Sequence, residues 1–261
     1  DTFPEGLNSA SVKKTVIGVD LGGTNVRAQA FDEAGDAVGA FHANPSRADE
    51  GLEATLEAIA TTIEQAVTSA DRGRPDHVGL AIPGHVDDAH GMVRWAPNFG
   101  RTINGVFVSW RDSPVRDGLS RRLGGVPVSM GNDANLAALG EYRYGTGRNS
   151  ARCLVMITLG TGVGGGIVMR PASLLGKSEG TLVLVGGNGG GAELGHVIVN
   201  ANGAACNAGT YGAIEAYAQK QAIVDRAVAR LLRGRESVVP EMVDGDFSRV
   251  TPKIISEACE K

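Results

Sequence analysis

The chain has 261 residues, 42% hydrophobic and 21% charged, which is a globular composition long enough for two cores. A formal net charge of -4 with no long run of one sign excludes nucleic acid and an anionic membrane as evident partners, and a small neutral or anionic molecule fits better. No stretch approaches the roughly 18 apolar residues of a membrane span, and Asp1 to Lys14 carries no apolar signal-peptide core.

Val16 to Phe31 reads as strand, glycine turn, strand, with Asp20-Leu21 leading into Gly22-Gly23-Thr24-Asn25. Glycine allows positive φ and has no Cβ to hold a phosphate away, so such a turn can present backbone N–H groups to an anion. Leu52, Leu56, Ile59, Ile63 and Val67 recur at helical spacing, and His77 to Ile82 is a buried strand ending at Pro83-Gly84. From His85 to Asn104 the pattern predicts a loop. Its Arg94-Trp95-Ala96-Pro97-Asn98-Phe99-Gly100 offers side chains able to stack on and hydrogen-bond a sugar, although for this segment alone a plain surface loop is the favoured reading. Asp112-Ser113-Pro114 starts a helix with Val115, Leu119 and Leu123 on its apolar side.

Val126 to Met130 is a strand that runs through Gly131-Asn132 into a helical pattern, which puts Asp133 at a strand-to-helix junction. Two readings apply to Asp133. As a helix cap it accepts backbone N–H bonds and suits the helix dipole; as a general base it takes a hydroxyl proton while a phosphoryl group sits in glycine hairpins. The neighbouring hairpins favour the base.

Cys153 to Thr158, the turn Leu159-Gly160-Thr161-Gly162-Val163-Gly164-Gly165-Gly166 and Ile167 to Met169 repeat the first hairpin, pairing Asp20 with Thr158, Leu21 with Leu159 and Gly22 with Gly160. The copies lie too far apart for a solenoid and predict two similar lobes, each with a phosphate-binding hairpin, unless both are ordinary hairpins. Gly160-x-Gly162-x-x-Gly165 also matches the dinucleotide fingerprint, but a strand and not a helix follows it. Gly176-Lys177-Ser178 fails as a P-loop because the glycine needed earlier is Pro171. After the strand Leu182 to Val185 and a second glycine cluster, Gly186 to Gly191, come Glu193 and His196, open as metal ligands, ligand-binding groups or an exposed turn. Val197-Ile198-Val199 is strand-like, a long helix runs from about Ala213 to Arg233, and Thr251-Pro252 caps a last one. Three scattered cysteines, Cys153, Cys206 and Cys259, argue for a reducing compartment and hence a cytoplasmic address.

These stretches together resemble the ROK family of sugar kinases, in the actin and hexokinase superfamily, and most of all its bacterial glucokinases. The resemblance runs from about Thr15 to Tyr217. It rests on Asp20-Leu21-Gly22-Gly23-Thr24-Asn25, Pro83-Gly84, Asn132-Asp133-Ala134-Asn135, Leu159 to Gly166, Glu193-x-Gly195-His196 and Glu215-Ala216-Tyr217.

It implies an α/β, two-lobed actin-like ATPase (ribonuclease H-like) fold with a mixed sheet and a phosphate-binding β-hairpin in each lobe. The small lobe is expected over 1–129 and the large lobe over 130–261, without its C-terminal part, so that the natural protein is longer. The activity implied is ATP-dependent phosphorylation of a hexose on its 6-hydroxyl, glucose first, with N-acetylmannosamine, allose or fructose as other substrates and polyphosphate as another donor. A sugar-sensing transcriptional regulator and a non-catalytic sugar-binding protein are the other classes in view.

In the kinase, Asp133 is the base, and Asn98, Asn132, Glu193, His196 and Glu215 bind the sugar. Gly22, Gly23, Thr24, Asn25, Gly160, Thr161, Gly162 and Gly164 hold the phosphates, and Asp20 acts through water on the Mg²⁺ of MgATP. Lobe closure would exclude water, and a homodimer is implied. One departure concerns zinc. The family's Cys-x-Cys-Gly-x-x-Gly-Cys-x-Glu run reads Cys206-Asn207-Ala208-Gly209-Thr210-Tyr211-Gly212-Ala213-Ile214-Glu215. His196 and Cys206 alone do not close a tetrahedral site, so zinc is expected to be absent, with Tyr211 and Ile214 packing in its place.

Overall fold

The computed structural model describes residues 14–148, 152–170, 181–184, 192–206 and 209–260. The P-loop-like Gly176-Lys177-Ser178, the glycine cluster Gly186 to Gly191 and Ala208 lie outside the described residues. The described residues form two compact units, 14–136 and 137–260. No helix among them is long and apolar enough to cross a membrane.

The first unit is built on a five-stranded sheet of order β3-β2-β1-β4-β8: β1 (Val16–Leu21), β2 (Asn25–Phe31), β3 (Ala37–Pro45), β4 (His77–Ile82) and β8 (Val128–Asn132). β1, β2 and β3 are antiparallel neighbours, whereas β4 runs parallel to both β1 and β8. Alternation in β1 sends Ile17, Val19 and Leu21 to the core, each at most 4% exposed. Helix α1 (Leu52–Ser69) covers the sheet with Leu56, Ile59 and Ile63, which are spaced to form one buried stripe. Helix α2 (Val115–Arg122) packs on α1 at Gly118, where a Cβ would lie 2.5 Å from Leu56 Cδ1.

The predicted loop from His85 to Asn104 is instead a second sheet of β5 (His85–Asp87), β6 (Met92–Ile103) and β7 (Val106–Ser113). Asn104-Gly105, with φ of 51° and 80°, closes β6 onto β7 with the two positive-φ residues that a tight hairpin turn demands. Pro97, Asn98 and Phe99 bulge out between the pairs Ala96↔Trp110 and Gly100↔Ser109. A bulge tolerates the missing N–H of Pro97, and Phe99 turns in to pack on Trp110 at a ring separation of 5.1 Å. Arg94, offered by sequence as a ligand-contacting side chain, is engaged in ion pairs with Asp87 (2.7 Å) and Asp112 (2.9 Å). The Arg94 guanidinium, with help from His90 and against partial burial, holds the Asp87 carboxyl down at about 2. Asp112 and Ser113 end β7 and do not cap α2, whose capping position is Pro114.

The second unit carries the antiparallel sheet β11-β10-β9, with β9 (Cys153–Leu159), β10 (Val163–Met169) and β11 (Leu182–Leu184). Helix α3 (Asp133–Arg143) leaves the first unit through its opening turn and packs Ala138 and Tyr142 against Val168 in the second. The long helix expected from Ala213 to Arg233 is two helices, α4 (Ile214–Ala218) and α5 (Lys220–Leu232). The break falls at Gln219, which is extended at ψ 157°, and beyond it the Lys220 N–H donates to Gly160 O at 2.9 Å. The chain is therefore diverted to tie the glycine turn. Val197-Ile198-Val199 is not a strand: each is at least 50% exposed, and only Ile198 forms a bridge, to Ala213. Helices α5, α6 (Val239–Met242) and α7 (Pro252–Ala258) share a small core around Val224, Val239 and Val243, and Thr251 Oγ1 caps α7 by accepting from Ile254 N–H at 3.3 Å.

Candidate active site

Two groups of residues gather, one in each unit. In the first, β8 delivers Asn132 and Asp133 to the start of α3. Asn132 Oδ1 accepts from Asn135 N–H at 3.1 Å, so Asn132 and not Asp133 caps the helix. Asp133 Oδ1 accepts from Ala134 N–H at 2.8 Å, and no other side chain pairs with its carboxylate among the described residues. Burial pushes the Asp133 carboxyl above the ordinary carboxylate range against the pull of that N–H, and the nearby Asp20 charge adds to the rise. A half-buried carboxylate with raised basicity and no side-chain partner among the described residues can accept a proton from a ligand hydroxyl.

Gly84 links this group to the second sheet. Its φ is 100°, and a Cβ there would collide with Trp95 O and lie 3.0 Å from Ala96 Cα, so only glycine fits. Its carbonyl accepts from Asn132 Nδ2 at 3.1 Å. Asn98 is exposed in the adjoining bulge. Asp20 pairs with Arg27 across the hairpin (Nη1 to Oδ2, 2.9 Å), both about half exposed at 51% and 48%. Its Oδ1 has no partner among the described residues.

The two glycine turns are similar but not identical. Gly22 to Asn25 separate the last pair Leu21↔Val26, whereas Gly160 to Gly162 separate Leu159↔Val163, one residue fewer. Gly22 N–H closes its own turn on Asn25 O (2.8 Å) and Gly160 N–H closes on Gly162 O (2.9 Å). The N–H groups of Gly23, Thr24, Thr161 and Gly162 have no partner among the described residues and are the ones able to meet an anion. Among the described residues, chain neighbours aside, no atom lies within 4 Å of where a Cβ would stand on Gly23 or Gly160.

In the second unit the turn Leu194–His196 is seated on the hairpin: a Cβ on Gly195 would strike Val163 O, and one on Gly165 would lie 2.7 Å from Leu194 Cδ1. That seating places Glu193 and His196 beside the strand that leaves the glycine turn. Glu215, 8% exposed on α4, accepts from Val163 N–H through Oε2 at 2.9 Å and from Cys206 Sγ–H through Oε1 at 3.4 Å. Its Oε2 also lies 2.6 Å from where a Cβ of Gly162 would be. Glu215 therefore shapes the glycine turn, which sequence did not indicate.

His196 and Cys206 keep two positions of the family's zinc-ligand set. The other two positions of the family's ligand run are Ala208 and Ala213, which offer no donor, and Cys206 hydrogen-bonds Glu215. Among the described residues no group of three or more His, Cys, Asp or Glu side chains is placed to hold a metal. Tyr211, expected to pack in the metal's place, is 63% exposed and does not. Tyr217 does more for this loop, its hydroxyl accepting from Ala204 N–H at 3.2 Å and Asn200 Nδ2 at 3.4 Å. Gly212, with φ 71°, takes the carbonyl of Asn200 close against its backbone.

A mixed α/β order with one glycine hairpin in each unit is the architecture of the actin-like ATPases. The chain belongs to the ROK family, whose model matches residues 16–243. It is 38% identical over 211 residues to a glucokinase of Thermotoga maritima, covering 81% of this chain and 59% of the relative. To a glucokinase of Streptomyces coelicolor it is 34% identical over 232 residues, covering 87% and 62%. A solved ROK family glucokinase from Streptomyces griseus, in complex with glucose and AMPPNP, matches with a TM-score of 0.68 at 33% identity, over 94% of this chain and 71% of that one. The chain thus spans about three-fifths of the length of these two curated relatives.

Proposed function

We propose that the protein transfers the γ-phosphoryl group of ATP to the 6-hydroxyl of a hexose, with glucose the first substrate. The observation that carries this reading is Asp133, a half-buried carboxylate of raised pKa that does not cap its helix and pairs with no side chain among the described residues. As the P–O bond to ADP breaks and the bond to the sugar oxygen forms, Asp133 takes the hydroxyl proton. Asn98, Asn132, Glu193, His196 and Glu215 bind the sugar, and the N–H groups of Gly23, Thr24, Thr161 and Gly162 bind the phosphates. Asp20, with one carboxylate oxygen unpartnered and half exposed, fits a water-mediated contact to Mg²⁺, which when bound neutralises phosphate charge. The division into lobes at 129/130 belongs to this reading, although the compact units divide slightly later, inside α3.

A coupled assay with MgATP and a panel of glucose, N-acetylmannosamine, allose and fructose tests it, with polyphosphate as a second donor. Glucose is expected to give the highest kcat/KM. Turnover of another sugar but not glucose would move the substrate and keep the reaction, whereas sugar binding without turnover would favour a regulator or a binding protein.

The same protein is expected to hold no tight zinc, because only two ligands of the family's set remain and Tyr217, Gly212 and the Cys206–Glu215 contact hold residues 200, 204 and 206 instead. Elemental analysis should find no stoichiometric zinc, and a chelator should leave Tm unchanged. One zinc per chain, lost to chelator together with stability, would contradict this.

A further inference from the structure

We propose that Asn135 is a positioning residue that fixes Asn132 as a hydrogen-bond donor, and only a donor, toward the hexose; this rests on the kinase reading above. Asn135 is 2% exposed, in the first turn of α3. Its Nδ2 donates to Asn132 Oδ1 at 3.0 Å, and its backbone N–H donates to the same oxygen at 3.1 Å. An amide oxygen has two lone pairs, and both are taken. On the other side Asn132 Nδ2 donates to Gly84 O at 3.1 Å, which uses one of its two hydrogens.

Turning the Asn132 amide over would set its NH₂ against the Asn135 N–H and its oxygen against the Gly84 carbonyl, two repulsive contacts in place of attractive ones. Turning Asn135 over would set oxygen against oxygen. The orientation present leaves Asn135 Oδ1 buried with no partner among the described residues, an arrangement that costs stability. What it secures is the orientation of Asn132. One N–H remains for a ligand, so the hydroxyl that meets Asn132 accepts from it and keeps its own proton.

The test uses Asn135→Asp, which keeps the shape and removes the donor, and Asn135→Ala, which removes the side-chain donor without adding charge. KM for glucose should rise about tenfold in the first and about threefold in the second, with KM for MgATP unchanged and kcat within about threefold. A purely structural role would lower Tm and the folded yield but leave the ratio of the two KM values as it was. A monodeoxyglucose lacking the hydroxyl that Asn132 meets should bind about tenfold more weakly to the wild type, with a much smaller further loss in Asn135→Asp. If Asn135→Asp does not fold, Asn135→Ala decides. Glucose KM within about 1.5-fold of wild type in the folded variants overturns the role of Asn135 and leaves the kinase reading standing. A wild type that neither binds nor phosphorylates any hexose overturns both.

Discussion

Asp133→Asn is expected to lower kcat by about 10²- to 10⁴-fold while the glucose KM stays near that of the wild type, because the amide keeps the size and loses the basicity. Stability separates this from a capping role. Burial raises the folded-state pKa of Asp133, so the stability it contributes is fully present below its unfolded pKa and lost as pH rises through the folded value. At pH 7 the ionised carboxylate is a cost that asparagine does not carry. That gain offsets the favourable charge lost from the first turn of α3. The cap itself is Asn132, which the substitution leaves in place. The variant should therefore melt at or slightly above the wild-type temperature. A capping role for Asp133 predicts the reverse, a loss of about 1 kcal/mol with unchanged turnover per folded molecule. The acid limb of the kcat/KM profile should lie above the ordinary Asp value of about 3.9, with activity falling as pH drops through it.

Gly84→Ala should be strongly destabilising. The residue sits at φ 100°, which an L side chain rarely adopts, and the added methyl would meet Trp95 O and Ala96. Strain and overpacking together are expected to cost about 2 to 5 kcal/mol, measured as a lower urea midpoint at constant m-value. Because the Gly84 carbonyl holds Asn132 Nδ2, surviving folded protein should also show a raised glucose KM. A loss below about 0.5 kcal/mol would mean that β5 and β6 shift freely, and that Gly84 does not fix Asn132.

Much of the fold is legible in the sequence where local signals agree. The β1–β2 and β9–β10 hairpins follow from apolar alternation around glycine, and α1 follows from Leu56, Ile59 and Ile63 at helical spacing. The second sheet was hidden because Pro97 and Gly100 read as loop punctuation, although Asn104-Gly105 between Ile103 and Val106 is a strong hairpin signal. The break between α4 and α5 depends on Lys220 N–H reaching Gly160, a contact that no local propensity encodes.

In the site, the sequence located Asp133 at its junction and left a helix cap open as the second reading of it, whereas the cap falls to the adjacent Asn132. Which of them turns its oxygen onto Asn135 N–H is decided by the Gly84 carbonyl, far away in the chain. Glu215 shows the same limit, since its hold on Val163 N–H exists only once α4 is folded against β10.

The central assignment is tested most directly by incubating the protein with MgATP and glucose and following the products by ³¹P NMR. The kinase reading predicts loss of the γ-phosphate signal of ATP, appearance of ADP and growth of a phosphomonoester resonance coupled to the C6 protons of glucose, with Asp133→Asn showing none of these on the same time scale. A wild type that leaves ATP intact with every hexose, or an Asp133→Asn variant that turns over as fast as the wild type, would contradict it.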